Sequence, residues 1–181
     1  MLIPPQLSLV RPSTELKPAF FQGFDELTTD SERAAWNYLG DASPLDIPAQ
    51  NFGGYIDTLL KRETVPLQGF VCCSVYWAIL NCEMLGRIAI RHELNDFLRT
   101  VGGHIGYIVR PSSRGQGVAS EMLRQLLQTE RARSIDKLLL TCDENNIASE
   151  RTILKNGGIY ESTVDASPNK PRKKRFWITL N

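Results

Sequence analysis

The chain has 181 residues, long enough for one domain that buries a core without disulfide or metal staples. Apolar residues make up 42% and charged residues 23%, which excludes wholesale disorder, and the formal net charge of +1 gives no global field for nucleic acid or membrane. Cys72, Cys73, Cys82 and Cys142 form no C-x-x-C pair and stand at no metal-finger spacing from His92 and His104, so they read as reduced thiols, with no metal site.

The first ten residues are apolar but lack a basic start, and Pro4 and Pro5 interrupt them, so they do not read as a secretory signal. No window approaches 18 apolar residues. No membrane association and a cytoplasmic location are the expectations. Leu7–Val10 suggests a short first strand, and Ser13-Thr14-Glu15 starts a helix reaching about Leu27. Residues 28–52, with Gly40, Pro44 and Pro48, predict short helical turns and loop. Tyr55-Ile56 and Leu59-Leu60 place one apolar face on a helix over 54–62.

Punctuation sharpens in the second half. Val71–Leu80 and Leu85–Arg91 read as strands joined by a turn at Asn81-Cys82-Glu83. Asn95–Val101 predicts a helical turn or loop, and Gly103–Val109 a strand ended by Arg110-Pro111. From Gly117 onward Val118, Met122, Leu123, Leu126 and Leu127 recur at helical spacing. Lys137–Cys142 is a strongly apolar strand, Asn146–Asn156 a helix stopped by Gly157-Gly158, and Gly158–Thr163 and Arg175–Leu180 a last pair of strands. The order predicts an α/β chain with a mixed, mostly antiparallel central sheet flanked by helices. It reads as a single domain over 1–181.

Arg114-Gly115-Gln116-Gly117-Val118-Ala119 stands where a strand hands over to a helix. Glycines let backbone approach an anion, the helix start offers free N–H groups, and Arg114 adds a cation. There is no G-x-x-x-x-G-K-[ST], and no G-x-G-x-x-G followed by an acidic strand end, so neither a nucleoside triphosphate nor a dinucleotide is the natural ligand.

The run Arg114-x-x-Gly117-x-Ala119 resembles the pyrophosphate motif [QR]-x-x-G-x-[GA] of the GNAT acyltransferases. Arg91-His92-Glu93-Leu94-Asn95, Gly102–Tyr107 and Asn146-Ile147-Ala148-Ser149 with Asn156-Gly157-Gly158 resemble a subgroup of predicted acetyltransferases in that family. The resemblance covers about residues 68–180. It implies a GNAT fold whose fourth and fifth strands splay apart around the pantetheine of acetyl-CoA. The co-substrate would be bound by Ile108, Val109, Arg114, Gly115, Gln116, Gly117, Val118, Ala119, Ser120, Asn146 and Ser149.

The implied reaction is direct attack of a primary amine of a small molecule on the thioester, with no nucleic acid involved. Backbone N–H groups near Ile108 and Val109 would stabilise the oxyanion. A base is needed because amines are protonated at neutral pH, and His104 is the first candidate, with Glu93 second. Many members place a tyrosine acid where this chain has Ile153, leaving Ser149, Tyr160 and Tyr107 as substitutes. Arg91, His92 and Asn95 either face the acceptor or order the loop leading to His104. The basic run Lys170–Arg175 reads as a solvated hairpin loop. A peptide acceptor and a non-catalytic acyl-CoA sensor are the rival readings. Many family members dimerise, so a homodimer is compatible with the resemblance, although no stretch marks an interface.

Overall fold

The computed structural model describes residues 7–38, 51–168 and 170–180. The segments 1–6 and 39–50 lie outside the described residues, and with them the leader reading and about half of the stretch 28–52.

Among the described residues seven strands divide into two antiparallel sheets. β1 (Ser8–Val10), β2 (Cys73–Leu80), β3 (Glu83–Arg91) and β4 (Ile105–Val109) pair in that order. β5 (Lys137–Asp143), β6 (Ile159–Val164) and β7 (Lys173–Thr179) form the second, in the order β5-β7-β6. The expected central sheet is therefore split between β4 and β5. The chain just before β4 meets the middle of β5, where His104 N–H donates to Leu139 O at 2.7 Å and Thr141 Oγ1 donates to Val101 O at 2.8 Å. Gly103 permits this approach. Its φ of +65° suits glycine, and a Cβ there would lie 2.6 Å from Leu139 O.

Helices cover both faces of the first sheet. α1 (Lys17–Asp25), α2 (Asp30–Asn37) and α3 (Phe52–Lys61) pack an aromatic layer around Phe20, Trp36, Phe52 and Tyr55 onto Trp77 of β2. α2 falls within 28–52, where short helical turns and loop were expected. Thr29 and Glu32 close a capping box at its start, and Tyr38 ends it in the left-handed region at φ 57°. On the other face α4 (Val118–Leu126) buries Val118, Met122, Leu123 and Leu126, the stripe that the periodicity predicts. Gln125 of α4 holds the short edge strand β1, accepting from Leu9 N–H at 3.1 Å and donating to Leu7 O at 2.8 Å. A turn of helix, α5 (Glu130–Arg133), leads to β5, and α6 (Ile147–Lys155) follows it.

Only residues 170–172 of the basic run form the solvated hairpin loop expected of it. Lys173, Lys174 and Arg175 lie on β7, between β5 and β6, and each meets a carboxylate: Asp143 at 2.5 Å, Glu150 at 2.8 Å, and Glu161. Arg172 pairs with Asp165 at 3.2 Å. Among the described residues no helix is long and apolar enough to cross a membrane.

Candidate functional site

The split between the sheets opens a cavity of about 570 Å³. One wall is the second half of β4, the floor is the loop from Ser113 to Ser120, and the far wall is the first turns of α6. Ile108, Val109, Arg114, Gly115, Gly117, Val118, Ala119, Ser120, Asn146 and Ser149 all line it. Gln116 does not: its amide turns back to Ser112 O at 2.9 Å.

The loop is built to leave donors open. Gly115 and Gly117 hold φ of 74° and 86°, and Gly117 caps α4 with no side chain. By contrast Thr29, Asn51 and Asn146 cap α2, α3 and α6 with their own side chains. The first N–H groups of α4 therefore face the cavity with the positive end of the helix dipole behind them. Arg114 is braced beside them, its Nε donating to Val109 O at 3.0 Å and its Nη2 reaching Glu32 at 2.7 Å. The Arg114 guanidinium in turn holds the Glu32 carboxyl below its usual range. Glu26 ties down the other side of the loop through the Ser112 N–H and hydroxyl, both at 2.9 Å.

Hydrogen-bond alternation fixes which amides of β4 face the cleft. Arg110 N–H donates to Leu85 O, and Arg91 N–H donates to His104 O, so the even-numbered residues address β3. The N–H groups of Tyr107 and Val109 consequently point away from β3, while that of Ile108 is turned from the cleft.

A second cavity of about 440 Å³ shares Tyr107, Asn146 and Ser149 with the first. Arg91, Phe97, Gly106, Thr141, Cys142 and Lys170 contribute to its remaining wall. Tyr107 stands where the two cavities meet. Its hydroxyl donates to Ser149 O at 3.4 Å, and burial raises its pKa, so it is a protonated phenol at neutral pH. Burial likewise lifts the Cys142 thiol to about 11. Of the other substitute acids, Ser149 lines both cavities, whereas Tyr160 is exposed and hydrogen-bonds Thr163; Ile153, at the usual tyrosine position, packs in the core. Asn146 Oδ1 accepts from Ser149 N–H at 3.0 Å as the α6 cap, so its amide N–H₂ is the end left for a ligand.

His104 and Glu93 line neither cavity. His104 sits at the pinch of β4 and β5, 6% exposed, with Nδ1 accepting from Leu139 N–H at 2.8 Å. Burial, then the charges of Arg91 and Arg99, depress its pKa to about 4. Its ring is thus neutral, its inner lone pair is engaged, and its position is that of a strut. Glu93 is exposed. His92 Nε2 pairs with Ser74 Oγ at 2.9 Å, and Asn95 Oδ1 accepts from Leu98 N–H at 3.0 Å, so both order the loop. Arg91 orders the loop and also borders a cavity: it donates to Gly102 O and Gly103 O at 3.2 and 3.0 Å and lines the second cavity.

A family model described as an acetyltransferase (GNAT) domain matches residues 7–159. Among solved structures, the microcin C7 self-immunity acetyltransferase in complex with acetyl-CoA and AMP is similar at 13% identity and TM-score 0.64, over 97% of this chain and 93% of that one. A ribosomal L7/L12 alpha-N-protein acetyltransferase in complex with coenzyme A gives 18% and 0.65, over 97% and 95%. A spermidine N-acetyltransferase chimera from Vibrio cholerae gives 14% and 0.59, over 96% and 95%. No curated protein matches.

Proposed function

The chain belongs to the GNAT acetyltransferase family, and on that premise we propose that it transfers an acetyl group from acetyl-CoA to the primary amine of a small molecule. The observation that carries this reading is the bare start of α4 beside Arg114, opening into a cleft between separated strands. Free N–H groups and a cation at one end fit a pyrophosphate. Ile108 and Val109 along the cleft fit a pantetheine arm, with the Asn146 amide N–H₂ available to its carbonyls. Acetyl-CoA supplies an activated acyl carbon and a thiol leaving group.

The chain's own groups do the rest. Val109 N–H, directed into the cleft, polarises the carbonyl oxygen and receives the developing negative charge. The amine nitrogen approaches from the second cavity, so that its bond to the acyl carbon forms as the carbon–sulfur bond breaks. Tyr107, standing between the cavities with its proton retained, protonates the leaving sulfur. The proton shed by the attacking nitrogen passes to solvent, which restores the phenol. His104 and Glu93 have no place in this sequence, because neither borders the cavities.

The test joins coenzyme A calorimetry with acetyl-CoA-dependent thiol release over a panel of amines, amino acids, polyamines and peptides. Binding of coenzyme A, and release with a small amine, is the expected result. Absence of coenzyme A binding overturns the reading, and release with peptides alone overturns the small-molecule acceptor.

A further inference from the structure

Three guanidinium groups gather around one ring. The Cζ atoms of Arg87, Arg62 and Arg91 lie 4.1, 5.1 and 5.9 Å from the centroid of Tyr38. None has an acidic partner among the described residues. Arg87 is 2% exposed and Arg62 4% exposed. Arg87 donates through Nη2 to Ala35 O, which leaves Nε and Nη1 buried without a partner, and Nε of Arg62 is left in the same state. Both amide atoms of Asn37, the residue before Tyr38, are also buried and unpartnered.

A buried cation without a counter-ion is expensive, and proteins normally pair it. Burial lowers the Arg87 pKa to about 10, which still leaves it charged at neutral pH. The cluster adjoins the cleft. Arg87 pairs in register with Ile108, and Arg91 is shared between the ring cluster and the wall of the second cavity. At Gly106, next to Arg91 on that wall, an added Cβ would meet only the Arg91 guanidinium, 3.9 Å away, so the space in front of it is open.

We propose that the acceptor amine carries an oxyanion, a carboxylate or a phosphate, which Arg91 receives from the second cavity and Arg87 and Arg62 neutralise behind it. This rests on the acetyl-transfer reading above and names its acceptor class. The rest of the wall agrees. Its carboxylate, Asp143, is occupied by Lys173 at 2.5 Å, and Lys170 adds another cation, so a polyamine would meet repulsion. The same cations favour the neutral, nucleophilic form of the amine, which answers the lack of a side-chain base in the cavities.

The test is thermal unfolding of the full chain saturated with coenzyme A, titrated with inorganic phosphate or acetate against sodium chloride at equal ionic strength. A saturable rise in Tm is expected, with the stronger of the two anions naming the group. The rise should vanish in Arg91→Gln and in Arg87→Met, the latter exchanging a buried charge for apolar volume without opening a void, and persist in Arg114→Ala. No rise in the parent chain, or a rise that survives both variants, overturns the proposal. In thiol release, KM should be at least about tenfold lower for an amino acid than for its amide, or for phosphoethanolamine than for ethanolamine, and Arg91→Gln should close that gap. Preference for the amides or for spermidine overturns the oxyanion and leaves acetyl transfer standing. Failure of coenzyme A to bind overturns the acetyl-transfer reading, while the phosphate titration still reports on the arginines.

Discussion

Consider His104→Ala beside His104→Asn. In the alanine variant Leu139 N–H loses its acceptor in a buried place, at a cost of about 1–3 kcal/mol. Loss of the packed ring adds to this, for a total of about 3 kcal/mol, or roughly 6–12 °C in Tm for a chain of this length. Asparagine offers Oδ1 near the position of Nδ1, so its cost should stay below about 1 kcal/mol. The pH dependence provides an independent reading. The folded-state pKa, about 4, lies below the ordinary 6.5, so the unfolded chain binds the extra proton first on acidification. The stabilisation from the neutral ring is whole above pH 6.5 and drains away as pH falls toward 4, by at most about 3 kcal/mol. Urea unfolding at pH 7.5, 6, 5 and 4.5 should show this slope in the parent chain, and the asparagine variant should lack it. Thiol release closes the argument. A strut predicts kcat for His104→Asn within a few-fold of the parent. A general base predicts a loss of about 100-fold or more in a variant of unchanged Tm, and that result would refute the strut.

Gly103→Ala should cost about 3 kcal/mol or more in chemical denaturation, since the new Cβ is driven to 2.6 Å from Leu139 O at a φ of +65°. Gly115→Ala, at φ +74° with no protein atom within 4 Å, should cost only about 1 kcal/mol of stability, so calorimetry should find its larger effect in weakened coenzyme A binding. Tyr107→Phe should lower kcat about tenfold or more with coenzyme A affinity unchanged, and an undiminished kcat would remove the phenol from the reaction. Arg114→Ala should weaken coenzyme A about tenfold or more and flatten the dependence of its Kd on salt, both by calorimetry.

The glycine loop and the apolar stripe of α4 were legible because both are local: φ above zero selects glycine, and burial follows a 3.6-residue period. The start of α2 is equally local, written in Thr29-Asp30-Ser31-Glu32, which makes a capped helix of one of the short helical turns expected over 28–52. Lys173–Arg175, by contrast, misled. Charge says solvent, yet a strand between two others can hold lysines and arginines when Asp143, Glu150 and Glu161 come from neighbouring elements, and one sequence does not show those partners. The same holds for Arg87. A strand pattern cannot reveal that the aromatic end of a helix 49 residues earlier will close over a guanidinium. His104 looked like chemistry because histidine titrates near neutrality, and only the contact with Leu139 shows where its lone pair goes.

α2 spans only eight residues, about 12 Å, and it is capped at its start by the same Glu32 that grips Arg114. Its far end is Tyr38, the ring at the centre of the three arginines. One short rod thus has a foot in each half of the site. A phosphate that draws Arg114 away from Glu32 loosens the rod at its first turn, and an anion that draws Arg91 and Arg87 together tugs at its last. Two chemically separate ligands would be holding opposite ends of the same lever, so the binding of either would be felt, by the same factor, at the other.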